Sequence, residues 1–113
     1  MKPSDNETYC CDSTDLNNNI PFATQVNNVD ILIVRTEKGF FAIENRCPHQ
    51  LRPLDRGTID GDTIACIFHN VKVSLASGII LDDRGFIGLK NVQTFPVAER
   101  NGKIWITHVD LIP

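Results

Sequence analysis

Two-residue turn signals recur along this chain at short intervals, and they constrain its fold more than any other feature. Asn27-Asn28, Lys38-Gly39, Asp60-Gly61, Ser77-Gly78, Arg84-Gly85 and Asn101-Gly102 separate short runs rich in Val, Ile, Phe and Thr. Asn and Gly tolerate the positive φ of tight hairpins, and β-branched and aromatic side chains suit a pleated surface. The pattern predicts an all-β chain built as an antiparallel sandwich or barrel. Strands are expected near Thr8–Cys11, Pro21–Val26, Asp30–Arg35, Phe40–Glu44, Gly57–Asp60, Thr63–Ile67, Lys72–Ser74, Ile79–Leu81, Thr94–Glu99 and Lys103–Val109. Pro96 offers no N–H to a ladder, so its strand must be an edge or carry a bulge there. No stretch shows a helical period. Asp12-Ser13-Thr14-Asp15-Leu16 reads as a brief turn, since Asp and Ser are good N-caps, and Asn17-Asn18-Asn19 stops it.

A chain of 113 residues is one domain's worth of material, so residues 1–113 are expected to form a single domain. With 42% hydrophobic and 22% charged residues it can fold a core. The longest apolar run, Ile31-Leu32-Ile33-Val34, is far short of the ~20 residues that span a bilayer. Met1-Lys2-Pro3-Ser4-Asp5-Asn6-Glu7 has no apolar segment of the signal-peptide kind, which leads to the expectation of a soluble, cytoplasmic protein. A net charge of −3 provides no electrostatic footprint for nucleic acid. Arg46, Arg52 and Arg56 gather in one stretch with Asp55 between them. They read either as a hydrated loop or as a rim that docks an acidic partner surface. Adjacent Cys10 and Cys11 lie far from the other two cysteines, and on a strand one would face inward and one outward.

The chemistry concentrates in two short segments, Cys47-Pro48-His49 and Cys66-Ile67-Phe68-His69. Sixteen residues separate His49 from Cys66, and Gly57–Ala65 between them reads as a hairpin. A hairpin brings its ends together, so two thiolates and two imidazoles can present at one metal centre. The stretch from about Arg46 to Asn70 would form a small lobe on the main β body. Zinc accepts two Cys and two His readily, although its usual finger order is Cys, Cys, His, His on a hairpin and a helix. Here the order is Cys, His, Cys, His on two loops. That order suits a diiron cluster with both thiolates on one iron and both imidazoles on the other.

The pattern Cys47-x-His49…Cys66-x-x-His69 resembles that of the Rieske iron–sulfur proteins. Cys47-Pro48-His49-Gln50-Leu51-Arg52-Pro53-Leu54 looks like the first cluster loop of Rieske oxygenase components. Asp60-Gly61-Asp62 is similar to the hairpin tip between the loops, and Phe95-Pro96-Val97…Gly102…Ile104 to the family's last hairpin. The resemblance implies a Rieske-like antiparallel β-sandwich with a small cluster-binding lobe, and one [2Fe-2S] cluster. Cys47, His49, Cys66 and His69 would be its ligands.

Within the family, the respiratory and photosynthetic members carry an extra Cys in each ligand loop and a Ser two residues after the second ligand His. Arg52, Phe68 and Val71 stand at those positions here. Without those groups, the resemblance implies a reduction potential toward the low end of the Rieske range. It points to the soluble ferredoxin of a bacterial aromatic-ring-hydroxylating oxygenase system. Such a carrier takes electrons from a flavoprotein NAD(P)H ferredoxin reductase and passes them to a terminal oxygenase, as a monomer in transient complexes. Gln50, Leu51, Arg52, Pro53, Phe68 and Asn70 would frame the contact. Terminal oxygenases also need a mononuclear iron on two His and a carboxylate. The three histidines here leave only His108 beyond the cluster, so the chain is expected not to be catalytic by itself. His108, Trp105 and Phe95 read as strand residues before any electron-path role.

Two alternatives remain: the small Rieske subunit of an assimilatory NAD(P)H nitrite reductase, and a non-redox interaction domain. Two departures from the family pattern also stand. A Gly is common where Val71 is. The usual proline-bearing third loop corresponds to Asp82–Gly88, which has no proline, and either Phe86 or Ile87 would have to provide its cover.

Overall fold

The run Ile31-Leu32-Ile33-Val34, too short for a membrane, has every side chain fully buried, and this explains the architecture. Side chains alternate across a strand, so a strand buried on both faces must run between two cores. The computed structural model describes residues 7–48, 53–67 and 69–107, and shows that arrangement. Ile31 and Ile33 pack into a first core with Leu16, Val26, Phe95 and Ile104. Leu32 and Val34 pack into a second core with Ile43, Leu54, Ile64 and Val73.

Three antiparallel sheets enclose these cores. The middle sheet has the order β2 (Phe22–Val26), β3 (Val29–Thr36), β4 (Gly39–Glu44), β9 (Thr94–Phe95). An outer sheet of β1 (Glu7–Asp12), β11 (Lys103–Thr107) and β10 (Val97–Arg100) closes the first core. A second outer sheet, β5 (Thr58–Asp60), β6 (Thr63–Ala65), β7 (Lys72–Ser74) and β8 (Ile80–Asp82), is a meander over the second core. This is the expected antiparallel β-sandwich. Its small lobe is a four-stranded sheet that continues past Asn70 to Asp82. The helical content among the described residues is a single 3₁₀ turn at Ser13–Asp15, where the brief turn was expected. None of the helices among these residues is long and apolar enough to cross a membrane.

Among the described residues every strand read from the sequence appears, with three informative differences; His108 and Val109, expected to end the last strand, lie outside them. First, the expected strand Thr94–Glu99 is cut at Pro96 into β9 and β10, which belong to different sheets. Phe95 pairs with Ala42, and Val97 pairs with Ile106. Pro96 stands where the chain crosses from one ladder to the other, so its missing N–H interrupts neither; its carbonyl still accepts the Thr107 N–H at 3.1 Å. Second, β6 stops at Ala65 because Cys66 already begins a turn. Third, β1 carries a bulge between Tyr9 and Cys11. The bulge breaks the alternation expected of Cys10 and Cys11. Cys11 is buried and Cys10, half-buried, also packs against the first core. Burial pushes both thiols up to about 11, which keeps them protonated.

Candidate metal centre

Each cysteine of the proposed ligand set lies within three residues of a strand end. Cys47 comes three residues after β4 and Cys66 one residue after β6. Both are fully buried and belong to the second core. None of the four cysteines is in a disulfide. His69 is exposed. The remaining member, His49, lies outside the described residues, as do Gln50, Leu51, Arg52, Phe68 and His108. Pro53 and Asn70, expected at the contact rim, are exposed.

The first loop is held by side chains that the motif does not announce. Asn45 uses its backbone N–H on the Asp30 carbonyl at 2.9 Å and its Oδ1 to accept the Leu54 N–H at 2.6 Å. One residue therefore ties the start of this stretch to β3 through its backbone and to Leu54 through its side chain. Leu54, almost wholly buried, anchors the far end in the second core. Beyond it, Gly57 passes so close to β6 that a Cβ there would sit 2.6 Å from the Ala65 carbonyl oxygen. Only glycine permits that approach.

Arg46 is part of this scaffold rather than of a docking rim. Its guanidinium meets both Glu44 oxygens, at 3.3 and 3.4 Å, and donates to the Asn91 carbonyl at 3.1 Å. Glu44 in turn accepts the Gln93 N–H at 2.6 Å. The pair joins the start of the first loop to the segment after the third. Of the three arginines read as a possible rim, Arg46 is thus internally engaged, Arg52 lies outside the described residues, and Arg56 is exposed.

The second loop is closed by backbone hydrogen bonds between its ends. The Asn70 N–H donates to the Cys66 carbonyl at 3.0 Å, and the Cys66 N–H donates to the Val71 carbonyl at 2.9 Å. Asn70 takes the left-handed backbone conformation, φ 58°, that closes it. With the reversal made at Asn70, position 71 needs no glycine, and Val71 turns fully into the second core beside the two cysteines. The third loop follows β8. There Phe86 lies edge-on to His69, ring centroids 5.4 Å apart at 75°, whereas Ile87 is 97% exposed. Of the two residues considered for cover, Phe86 is the one that touches a proposed ligand.

The three described members of this donor set, Cys47, Cys66 and His69, are of the kinds that a Rieske cluster takes. Soft sulfur donors sit inside an apolar core and an imidazole sits at the surface, the division expected when one iron takes Cys and the other His. Among the described residues no trio of His, Cys, Asp or Glu converges on one point, and a diiron cluster asks for none, since each iron takes two protein ligands. The Rieske [2Fe-2S] domain family matches residues 6–96, and the chain belongs to that family. One Rieske-type [2Fe-2S] cluster is accordingly its cofactor.

Among curated relatives, the methanesulfonate monooxygenase ferredoxin subunit of Methylosulfonomonas methylovora is 30% identical over 98 residues, covering 86% of this chain and 76% of that one. The toluene-4-sulfonate monooxygenase iron–sulfur subunit TsaM1 of Comamonas testosteroni is 33% identical over 82 residues, 70% of this chain. The chain spans only about a quarter of the length of TsaM1 and of its relative TsaM2. Two solved structures share the fold. The ferredoxin of carbazole 1,9a-dioxygenase from Nocardioides aromaticivorans superposes with a TM-score of 0.80 at 20% identity, covering 89% of this chain and 96% of that one. A nitrite reductase NADPH small subunit superposes with a TM-score of 0.76 at 19% identity, covering 88% and 96%.

Proposed function

We propose that this protein is a one-electron carrier of a multicomponent oxygenase system, with Cys47 and Cys66 on the inner iron and His49 and His69 on the outer one. It would be a single domain that works as a monomer and is not catalytic alone. The observation that carries this reading is the asymmetry of the site: two cysteines buried in the second core, and His69 exposed on the turn that Cys66 begins. A bound cluster of this type supplies a one-electron couple. The buried side chains would keep solvent from the cysteine ligands, while exposed His69 would hold the outer iron at the surface, where a partner can approach. The ferredoxin subunit of methanesulfonate monooxygenase, three quarters of whose length this chain covers, supports an oxygenase as the acceptor. A flavoprotein NAD(P)H reductase would supply the electrons.

Purified protein should be red-brown and, once reduced, give the Rieske electron-resonance signal with an average g below the free-electron value. His49→Ala and His69→Ala should each abolish it. A colourless protein holding stoichiometric zinc would refute the reading, and a retained signal in either variant would remove that histidine from the ligand set. The likeness to a nitrite reductase small subunit favours a second reading, a permanent enzyme subunit. Stable copurification with a large sirohaem protein would identify it, and a carrier that purifies alone would dismiss it.

A further inference from the structure

Phe86 faces two very different surroundings. One edge contact is to the His69 ring. The same residue also walls a cleft of about 440 Å³ bounded by Ile80, Asp82, Asp83, Leu89 and Asn91. Two carboxylates and an amide make that cleft polar and open to solvent. Phe86 therefore stands between this open cleft and the imidazole. Its backbone is fixed by local hydrogen bonds. The Arg84 and Gly85 N–H groups donate to the Asp82 and Asp83 carboxylates at 2.9 Å each, and the Phe86 N–H donates to the Asp83 carbonyl at 3.0 Å. Such Asx turns set the ring's position from the loop itself.

We propose that Phe86 is a positioning residue for His69: its ring holds the imidazole edge-on and keeps water of the third-loop cleft away from that side of the cluster site. The inference rests on the reading of His69 as a ligand. The cluster site gains one negative charge on reduction, and nearby water stabilises the more charged form, so opening this side makes reduction easier. It also admits chelators.

The test compares cluster-loaded wild-type protein with Phe86→Ala, Phe86→Tyr and Ile87→Ala. It reads the midpoint potential and the rate at which visible absorbance bleaches with a ferrous chelator. Phe86→Ala should shift the potential to more positive values and bleach several-fold faster. Phe86→Tyr, which keeps the ring, should restore both, and Ile87→Ala should match wild type. A wild-type potential and bleaching rate in Phe86→Ala would overturn the proposal, and so would equal effects from Ile87→Ala. If Phe86→Ala takes up no cluster, Phe86→Leu replaces it, and a wild-type potential there overturns the aromatic role. Failure of the ligand reading is seen separately, as a His69→Ala variant that keeps the Rieske signal.

Discussion

Asn45 shows how much of a metal site can depend on a residue that never touches the metal. Its side-chain oxygen accepts the Leu54 N–H at 2.6 Å, across a loop in which Cys47 sits. Loss of such a bond leaves a backbone N–H without its partner at a half-buried position, a cost of about 1–3 kcal/mol. Asn45→Ala should therefore lower the urea midpoint by that amount of stability and let the cluster bleach faster. Asn45→Asp keeps the acceptor and should recover most of the loss. An unchanged midpoint in Asn45→Ala would mean that the loop is held elsewhere. Glu44 and Arg46 act alike at the neighbouring positions, as a partly buried pair with three further polar contacts between them. From the sequence alone Arg46 reads as a charge beside a motif, because nothing local announces that Asn91 returns to meet it and Gln93 to meet Glu44.

At the scale of elements, the hairpins were legible because their turns need particular residues. Asn101-Gly102 joins Arg100 to Lys103 with positive φ at both positions, 53° and 75°, as a two-residue hairpin of this kind requires. The strands followed from β-branched runs between such turns, and the proposed ligand pairs stand out by their spacing. What remained hidden depends on long-range packing: which sheet β9 joins, the bulge at Cys10, and the turn at Asn70 that frees position 71. Gly78 shows the same limit. It reads as a turn glycine, and its φ of 74° agrees, but it also passes against the Val92 backbone, with its carbonyl accepting the Val92 N–H at 3.0 Å. A Cβ there would overlap the Val92 carbonyl oxygen. Gly78→Ala should thus cost roughly 2–6 kcal/mol, the left-handed strain and the overlap together. Chemical denaturation measures it; a loss under ~1 kcal/mol would mean that the Val92 segment gives way easily.

For the whole molecule, the two cores divide the labour. The first core lies between sheets that hold none of the proposed ligands, whereas Cys47 and Cys66 are members of the second. Metal binding by such residues is coupled to local folding. Removing the cluster should therefore loosen β5–β8 while β1, β10 and β11 keep their protection. Amide hydrogen exchange on apo and loaded protein reads this strand by strand. Equal loss of protection in all three sheets would show that the cores fold as one unit.

The double burial of β3 also bears on how the chain finds its register. In a sheet with one wet face, a slip of one residue sends apolar side chains into water and is rejected on that ground. In β3 a slip would merely exchange Ile31 and Ile33 for Leu32 and Val34, one greasy pair for another. Hydrophobicity is thus blind to the error in the strand on which both cores depend. The guard against it falls to the flanking turns: Asn27-Asn28, with φ of 51° and 66°, and the Thr36–Gly39 turn, where the Thr36 hydroxyl takes the Lys38 N–H at 3.0 Å. The short polar ends of this strand, not its oily middle, keep the chain in step.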